Sequence, residues 1–102
     1  MLLTQNPQFI KIYQALEPHI PVFEIKRIRV FGSYATGRQK TNSDIDIIVD
    51  IGKSFGIYEF VGLKQSLKKT LHKKIDLFEP DSIEPQLKDK IMAEAITIYE
   101  QE

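Results

Sequence analysis

The sequence predicts an α/β (α+β) fold in which a small mixed β-sheet carries helices on one face and leaves the other face partly open. Two observations predict it. Apolar residues recur at helical spacing in some segments and alternate with period two in others, and the resulting order is helix, strand, strand, helix, strand, helix. With 102 residues, 42% of them apolar, the chain has material for one modest core and is read as a single domain over 1–102.

Asn6-Pro7 is a helix start, with Asn6 as cap and Pro7 at the first helical position, and Phe9, Ile10, Tyr13 and Leu16 follow at helical spacing. Pro18 and Pro21 are expected to end that helix. From Ile25 to Phe31 the pattern changes: Ile28 and Val30 alternate with Arg27 and Arg29, as in a strand with one wetter face. Gly32 punctuates it. Residues Tyr34 to Ser43, with Gly37, Thr41 and Asn42, form a loop that opens with one short helical turn. A second strand runs from Asp44 to Asp50. After the turn IGKSFG, Ile57 to Lys73 reads as a helix with Phe60, Val61, Leu63, Leu67 and Leu71 as its apolar stripe. Lys74 to Phe78 is a short strand stopped by Pro80, and a last helix is expected from about Glu84 to Tyr99, carrying Leu87, Ile91, Met92, Ala95, Ile96 and Tyr99.

Composition narrows the function classes. Fourteen Lys and Arg balance fourteen Asp and Glu, so no global charge recommends a nucleic-acid or membrane surface. There is no cysteine, which removes disulfides and thiolate metal sites. The start MLLTQNPQFIKIY lacks the basic opening and apolar run of a signal peptide, and no segment approaches the roughly 18 apolar residues of a membrane span. The expectation is a cytoplasmic protein.

The informative stretch is FGSYATGRQKTNSDIDIIVD, Phe31 to Asp50. Strand side chains alternate faces, so Asp44, Asp46, Ile48 and Asp50 point one way and Ile45, Ile47 and Val49 the other. The apolar set packs under helices, whereas the acidic set cannot. Two carboxylates on one face, about 7 Å apart along the backbone, repel each other in a sheltered site and call for a cation. With only oxygen ligands at hand, Mg²⁺ is the natural candidate, and it keeps positions open for water and nucleotide phosphates. Asp76 in KIDLF shares the phase of Asp44 and Asp46 if Ile75 and Leu77 face the helices. Three such carboxylates suit two metal ions roughly 3.5 to 4 Å apart, with Asp76 best placed to help deprotonate an attacking hydroxyl. Gly32 permits a sharp turn and close approach to a ligand, Ser33 offers a hydroxyl, and the amides of the following turn can face phosphate oxygens.

Gly32-Ser33, ten residues, then Asp44-Ile45-Asp46 resembles the signature of the nucleotidyltransferase superfamily with the DNA polymerase β-like fold. The short chain is similar to its minimal branch, which includes antitoxins encoded beside HEPN-domain ribonuclease toxins. The resemblance covers roughly Ile25 to Phe78. It implies that Gly32 and Ser33 bind the nucleoside triphosphate, that Asp44 and Asp46 ligate Mg²⁺, and that Asp76 is the third catalytic carboxylate and metal ligand. It also implies transfer of a nucleoside monophosphate, often AMP from ATP, to a hydroxyl with release of pyrophosphate, the acceptor being a tyrosine of a HEPN-type partner toxin. Many minimal members read Gly-Ser-X-Ala-Arg-Gly, whereas this chain has Ala35-Thr36-Gly37. Arg38, one place beyond the glycine, is the candidate substitute for the missing phosphate contact. The alternatives are an antitoxin that neutralises its partner by binding alone, and a transferase acting on a small molecule or an RNA end.

Other features have plainer readings. Asp50 sits at the strand's end and is read as a turn residue outside the site. Arg27 and Arg29 read as solvated strand residues, and Lys68, Lys69, Lys73 and Lys74 as cations complementing a helix C-terminus. His19 and His72 lack metal-ligand spacing. Apolar surplus on the last helix, Ile98 opposite Ile91, is read as surface for a partner.

Overall fold

In the computed structural model, which describes residues 1–102, Asn6 opens α1 (Pro7–Leu16). Its side-chain oxygen accepts from the amides of Gln8 at 2.9 Å and Phe9 at 3.3 Å, so two of the orphan donors of the first turn are satisfied. The two prolines stop α1 without straightening the chain. It winds on through a 3₁₀ turn (Glu17–His19) and a short α2 (Ile20–Phe23), each with its proline in the first turn, where the missing N–H costs nothing. Then follow β1 (Ile25–Phe31), α3 (Ser33–Thr36), β2 (Ile45–Ile51), α4 (Ile57–Leu71), β3 (Ile75–Phe78), a 3₁₀ turn (Pro80–Ser82), α5 (Pro85–Glu94) and β4 (Ile96–Glu100).

The sheet order is β3-β2-β1-β4. β2 and β3 run parallel and are joined by α4, while β1 is antiparallel to both β2 and β4, so the sheet is mixed. No helix is long and apolar enough to cross a membrane.

The end of the chain departs from expectation. The helix expected through Tyr99 stops at Glu94, and Ile96–Glu100 is a strand paired with β1. Leu87, Ile91, Met92, Ala95, Ile96 and Tyr99 fit helical spacing, but the β-branched run Ile96-Thr97-Ile98 fits a pleated strand better, and β1 has an edge to fill. Ile98 is consequently fully buried, and is not the partner surface expected of it. Residues near the N-terminus cover the new edge: Leu3 N–H donates to the Ile98 carbonyl at 2.8 Å and Glu100 N–H to that of Met1 at 3.0 Å.

One face of the sheet, with Ile28, Val30, Ile47, Val49, Ile75, Leu77 and Ile98, packs on Phe9, Ile12 and Leu16 of α1 and Leu63 and Leu67 of α4. Val61, expected in the α4 stripe, is exposed. On the opposite face α5 contributes Leu87 and Ile91 to a hollow shared with Phe31 and Phe78, whose rings are 5.6 Å apart, and Ile48 is wholly buried. That face is therefore covered at one end and open at the other, where the carboxylates lie.

These placements set a stability contrast. Ile98→Ala is expected to cost about 2–5 kcal/mol as a cavity in the core. Val61→Ala should stay within about 0.5 kcal/mol. Urea denaturation of both variants checks the assignment of the last strand: equal small effects would mean that Ile98 is not core.

Candidate active site

β1 delivers the chain to the site and Gly32 turns it. Phe31 pairs with Asp46 across the β1–β2 ladder, so Gly32 is set beside the Asp46 carboxylate. Gly32 has φ +70° and ψ −147°, a region essentially reserved for glycine. A Cβ there would stand 2.2 Å from Oδ2 of Asp46, inside van der Waals contact. Both the backbone and the neighbouring carboxylate therefore demand glycine.

Ser33 opens α3, whose turn is closed by the amides of Ala35 and Thr36 on the Gly32 carbonyl, both at 3.1 Å, and by Arg38 N–H on the Ser33 carbonyl at 2.9 Å. The first amides of the turn have no acceptor within it, which is the arrangement that receives phosphate oxygens. Gly37, at φ +76°, ends the turn in the left-handed conformation. Tyr34 is buried in the core and anchors α3. Sequence reasoning missed this anchor, although an aromatic residue in an otherwise polar loop was the signal for it. Thr36 donates its hydroxyl to the Gly32 carbonyl at 3.2 Å. Arg38 is exposed and makes no ion pair.

β2 and β3 bring the acids together. Their parallel register pairs Asp46 with Asp76 directly, on the face opposite Ile45, Ile47, Ile75 and Leu77. Asp44 lies immediately before β2 instead of within it, and its Oδ2 is 3.7 Å from Nζ of Lys74. Burial, the charge and close carboxyl approach of Asp76, and the charge of Asp44 together raise the Asp46 pKa from 3.8 to about 6. Asp50 is a strand residue, not a turn residue. It is held by Arg29 at 3.1 Å and lies 3.9 Å from Arg27, which also reaches Glu100 at 2.8 Å. The fourth in-phase acid is thus neutralised within the protein, while Asp46 and Asp76 are not.

The acids fit Mg²⁺ better than a metal with an all-protein cage. The three-carboxylate cluster expected from the sequence is not drawn together: β2 and β3 pair Asp46 with Asp76, Asp44 before the strand is turned to Lys74, and no three His, Asp or Glu side chains converge into a preformed metal cage. Mg²⁺ needs only one or two carboxylates, completing its shell with water and substrate phosphate. Burial first, and the negative charges of Asp76 and Asp44 second, disfavour an ionised Asp46, and a cation beside it would offset both.

A pH dependence follows. The folded state holds a proton on Asp46 that the unfolded chain releases at its ordinary 3.8, so stability contributed by this group falls as pH rises from about 4 to about 6 and is level above. Because Asp46 is only half-buried, solvent screening reduces the effect to roughly 1 kcal/mol. Urea midpoints at pH 4 and pH 7, wild type compared with Asp46→Asn, isolate it. A difference between the two proteins that does not change with pH would contradict it.

The Polymerase beta, Nucleotidyltransferase family matches residues 10–102. A Methanocaldococcus jannaschii chain classed as a protein adenylyltransferase is 43% identical over 74 residues, covering 72% of this chain and 80% of that one. Among solved structures, a toxin–antitoxin complex with AMP-PNP superimposes with TM-score 0.77 at 29% identity, over 91% of this chain and 73% of the other. A complex of a tri-AMPylated Shewanella oneidensis HEPN toxin with its MNT antitoxin superimposes with TM-score 0.68 at 25% identity, over 90% and 69%. With a glycine turned against the first of two neighbouring strand carboxylates, and with the family match running over nearly the whole chain, the protein belongs to the polymerase β nucleotidyltransferase family, in its minimal branch.

Proposed function

We propose that this enzyme is a cytoplasmic antitoxin that transfers AMP from ATP, one or more times, to a tyrosine hydroxyl of a HEPN-type toxin. The observation that carries the reading is the direct pairing of Asp46 with Asp76 beside Gly32, because it sets carboxylates and a phosphate-facing turn on one open patch of sheet. The classing of the Methanocaldococcus relative as a protein adenylyltransferase and the tri-AMPylated toxin of the Shewanella complex support the choice of AMP and of a HEPN-type protein as acceptor.

Each residue has a distinct task. The turn at Gly32 and Ser33 holds the triphosphate through amides and the Ser33 hydroxyl, with Arg38 available from the end of α3. Asp46 and Asp76, with Asp44 at the margin, would hold Mg²⁺, which would supply charge neutralisation on the triphosphate and lower the pKa of the attacking hydroxyl. Asp76, on β3 at the sheet edge, takes the proton of the acceptor hydroxyl. That oxygen forms a bond to the α-phosphorus as the bond from the α-phosphorus to the bridging oxygen breaks, and pyrophosphate leaves with the bridging oxygen. Lys74 balances Asp44 before substrate arrives.

One observation favours antitoxin action by binding alone. Thr36 occupies the position of the family's arginine and directs its hydroxyl back to the Gly32 carbonyl, leaving one phosphate contact fewer. Incubating the protein with its partner, Mg²⁺ and each of the four nucleoside triphosphates, then weighing the intact partner, separates the readings. The expected result is a gain of one or more AMP units with ATP only. A tight complex without mass gain would establish the binding antitoxin instead.

A further inference from the structure

A broad, open concavity lies away from the carboxylates. It is an open hollow of about 860 Å³ along the C-terminal half of α4, lined by Lys68, Lys69, His72, Lys73 and Lys74 with Ser66, and by no acidic or hydrophobic residue. In a chain whose charges cancel, four lysines on one wall are a concentration of positive potential. Lys68 and Lys69 have no carboxylate partner, Lys73 donates to a neutral group, the Thr41 carbonyl at 2.7 Å, and only Lys74 is paired, with Asp44 at 3.7 Å, so three of the four charges are not neutralised. Complementing the helix end explains cations in the last turn of α4, but not their continuation past it into Lys73 and Lys74. A second hollow, formed by Thr41, Asn42, Ser43 and Asp44, shares His72, Lys73 and Lys74 with the first. The basic surface therefore runs without a break from α4 around the start of β3 to Asp44.

The geometry points to an oligoadenylate subsite: the hollow binds the phosphodiesters of AMP residues already attached to the acceptor, so that further additions begin from a held chain. This inference rests on the proposed adenylyl transfer. In each addition after the first, a ribose hydroxyl of the terminal AMP attacks the α-phosphorus of a new ATP. One phosphodiester bond forms, the bond from the α-phosphorus to the departing pyrophosphate breaks, and the hydroxyl proton passes to Asp76. The first addition has no attached nucleotide and makes no use of the hollow; later ones present one further phosphate each, and lysines gain affinity with every phosphate neutralised.

The test uses the full chain carrying Lys68→Gln and Lys69→Gln, residues outside the carboxylate cluster, with Lys90→Gln as a control at another exposed lysine. Circular dichroism verifies folding. In the double variant the first AMP is expected on the partner at the wild-type rate, while the second and third additions slow at least about tenfold, so that singly modified partner accumulates. Separately, 5′-phosphorylated tri-adenylate should bind wild type in a salt-dependent manner, and the variant about tenfold more weakly with a salt slope shallower by about 1.4. Unchanged later additions overturn the inference, as does a variant that loses affinity for the unmodified partner, which would make the hollow an acidic-protein contact. If wild type transfers no AMP, the proposed function has failed, and the tri-adenylate measurement alone decides. Binding lost in the variant retains the hollow as an oligonucleotide site, and absence of binding to wild type removes it.

Discussion

Asp46→Asn is expected to lose nucleotidyl transfer by at least about 10³-fold and yet to be more stable than wild type at neutral pH. The loss follows from removing a carboxylate that holds the metal: several kcal/mol of transition-state stabilisation corresponds to roughly three powers of ten in rate. The gain follows from removing a charge that is partly buried and crowded by like charge. Asp46 has its pKa raised to about 6 by burial, Asp76 and Asp44, so above that pH the folded state keeps an ionised group it disfavours. Asparagine has nearly the same shape without the charge. The stabilisation, roughly 1 kcal/mol after allowance for partial exposure, should appear above pH 6 and vanish near pH 4, the reverse of what loss of an ordinary salt-bridged aspartate would give. Activity and urea unfolding on the same preparation read both effects. An inactive variant that is also less stable at pH 7 would mean that Asp46 is a structural residue and not a strained functional one.

Gly32→Ala should be the second large effect, and it can be separated from a simple glycine effect. At Gly32 the backbone conformation alone costs alanine about 1–3 kcal/mol. Its methyl group would also fall 2.2 Å from the Asp46 carboxylate oxygen, so either the turn or the carboxylate must move. Transfer is expected to fall by about 10²-fold or more even where the variant remains folded, because a displacement of about 1 Å at a reacting centre is enough for that. Gly37→Ala is the matched comparison. Gly37 also has positive φ, but nothing lies within 4 Å of its would-be Cβ, so it should lose only about 1 kcal/mol of stability and retain most activity. Steady-state kinetics for the pair, with thermal unfolding as the control, gives the answer. Equal losses in both would remove the special role of the Gly32–Asp46 contact.

The residues differ in how far the sequence alone revealed them, for physical reasons. Local chemistry was readable: the Asn6 cap, the glycine-bounded turn, and the period-two alternation of β1 and β2 each depend on neighbours in sequence. The placement of Asp76 was readable because a strand's phase is fixed by its apolar residues, and the parallel register then sets it beside Asp46. Ile96–Glu100 was misread because its apolar spacing satisfies a helix as well as a strand. What decides is the vacant edge of β1, a property of the assembled sheet. Asp50 was misread for a related reason, since its partners Arg27 and Arg29 come from the adjacent strand. Ile48 shares the phase of the acids yet is buried, because α5 and the segment before it reach over that end of the face. No spacing rule within β2 contains that information.

The measurement that tests the central claim most directly follows two labels of ATP. Wild type and Asp46→Asn are each incubated with the partner toxin, Mg²⁺ and ATP carrying radioactive phosphorus at either the α or the γ position. Nucleotidyl transfer on the carboxylate face predicts that the α label stays on the partner, that the γ label leaves with pyrophosphate, and that Asp46→Asn leaves both labels free. Label transferred from the γ position, or α label retained in equal amount by the variant, would contradict it.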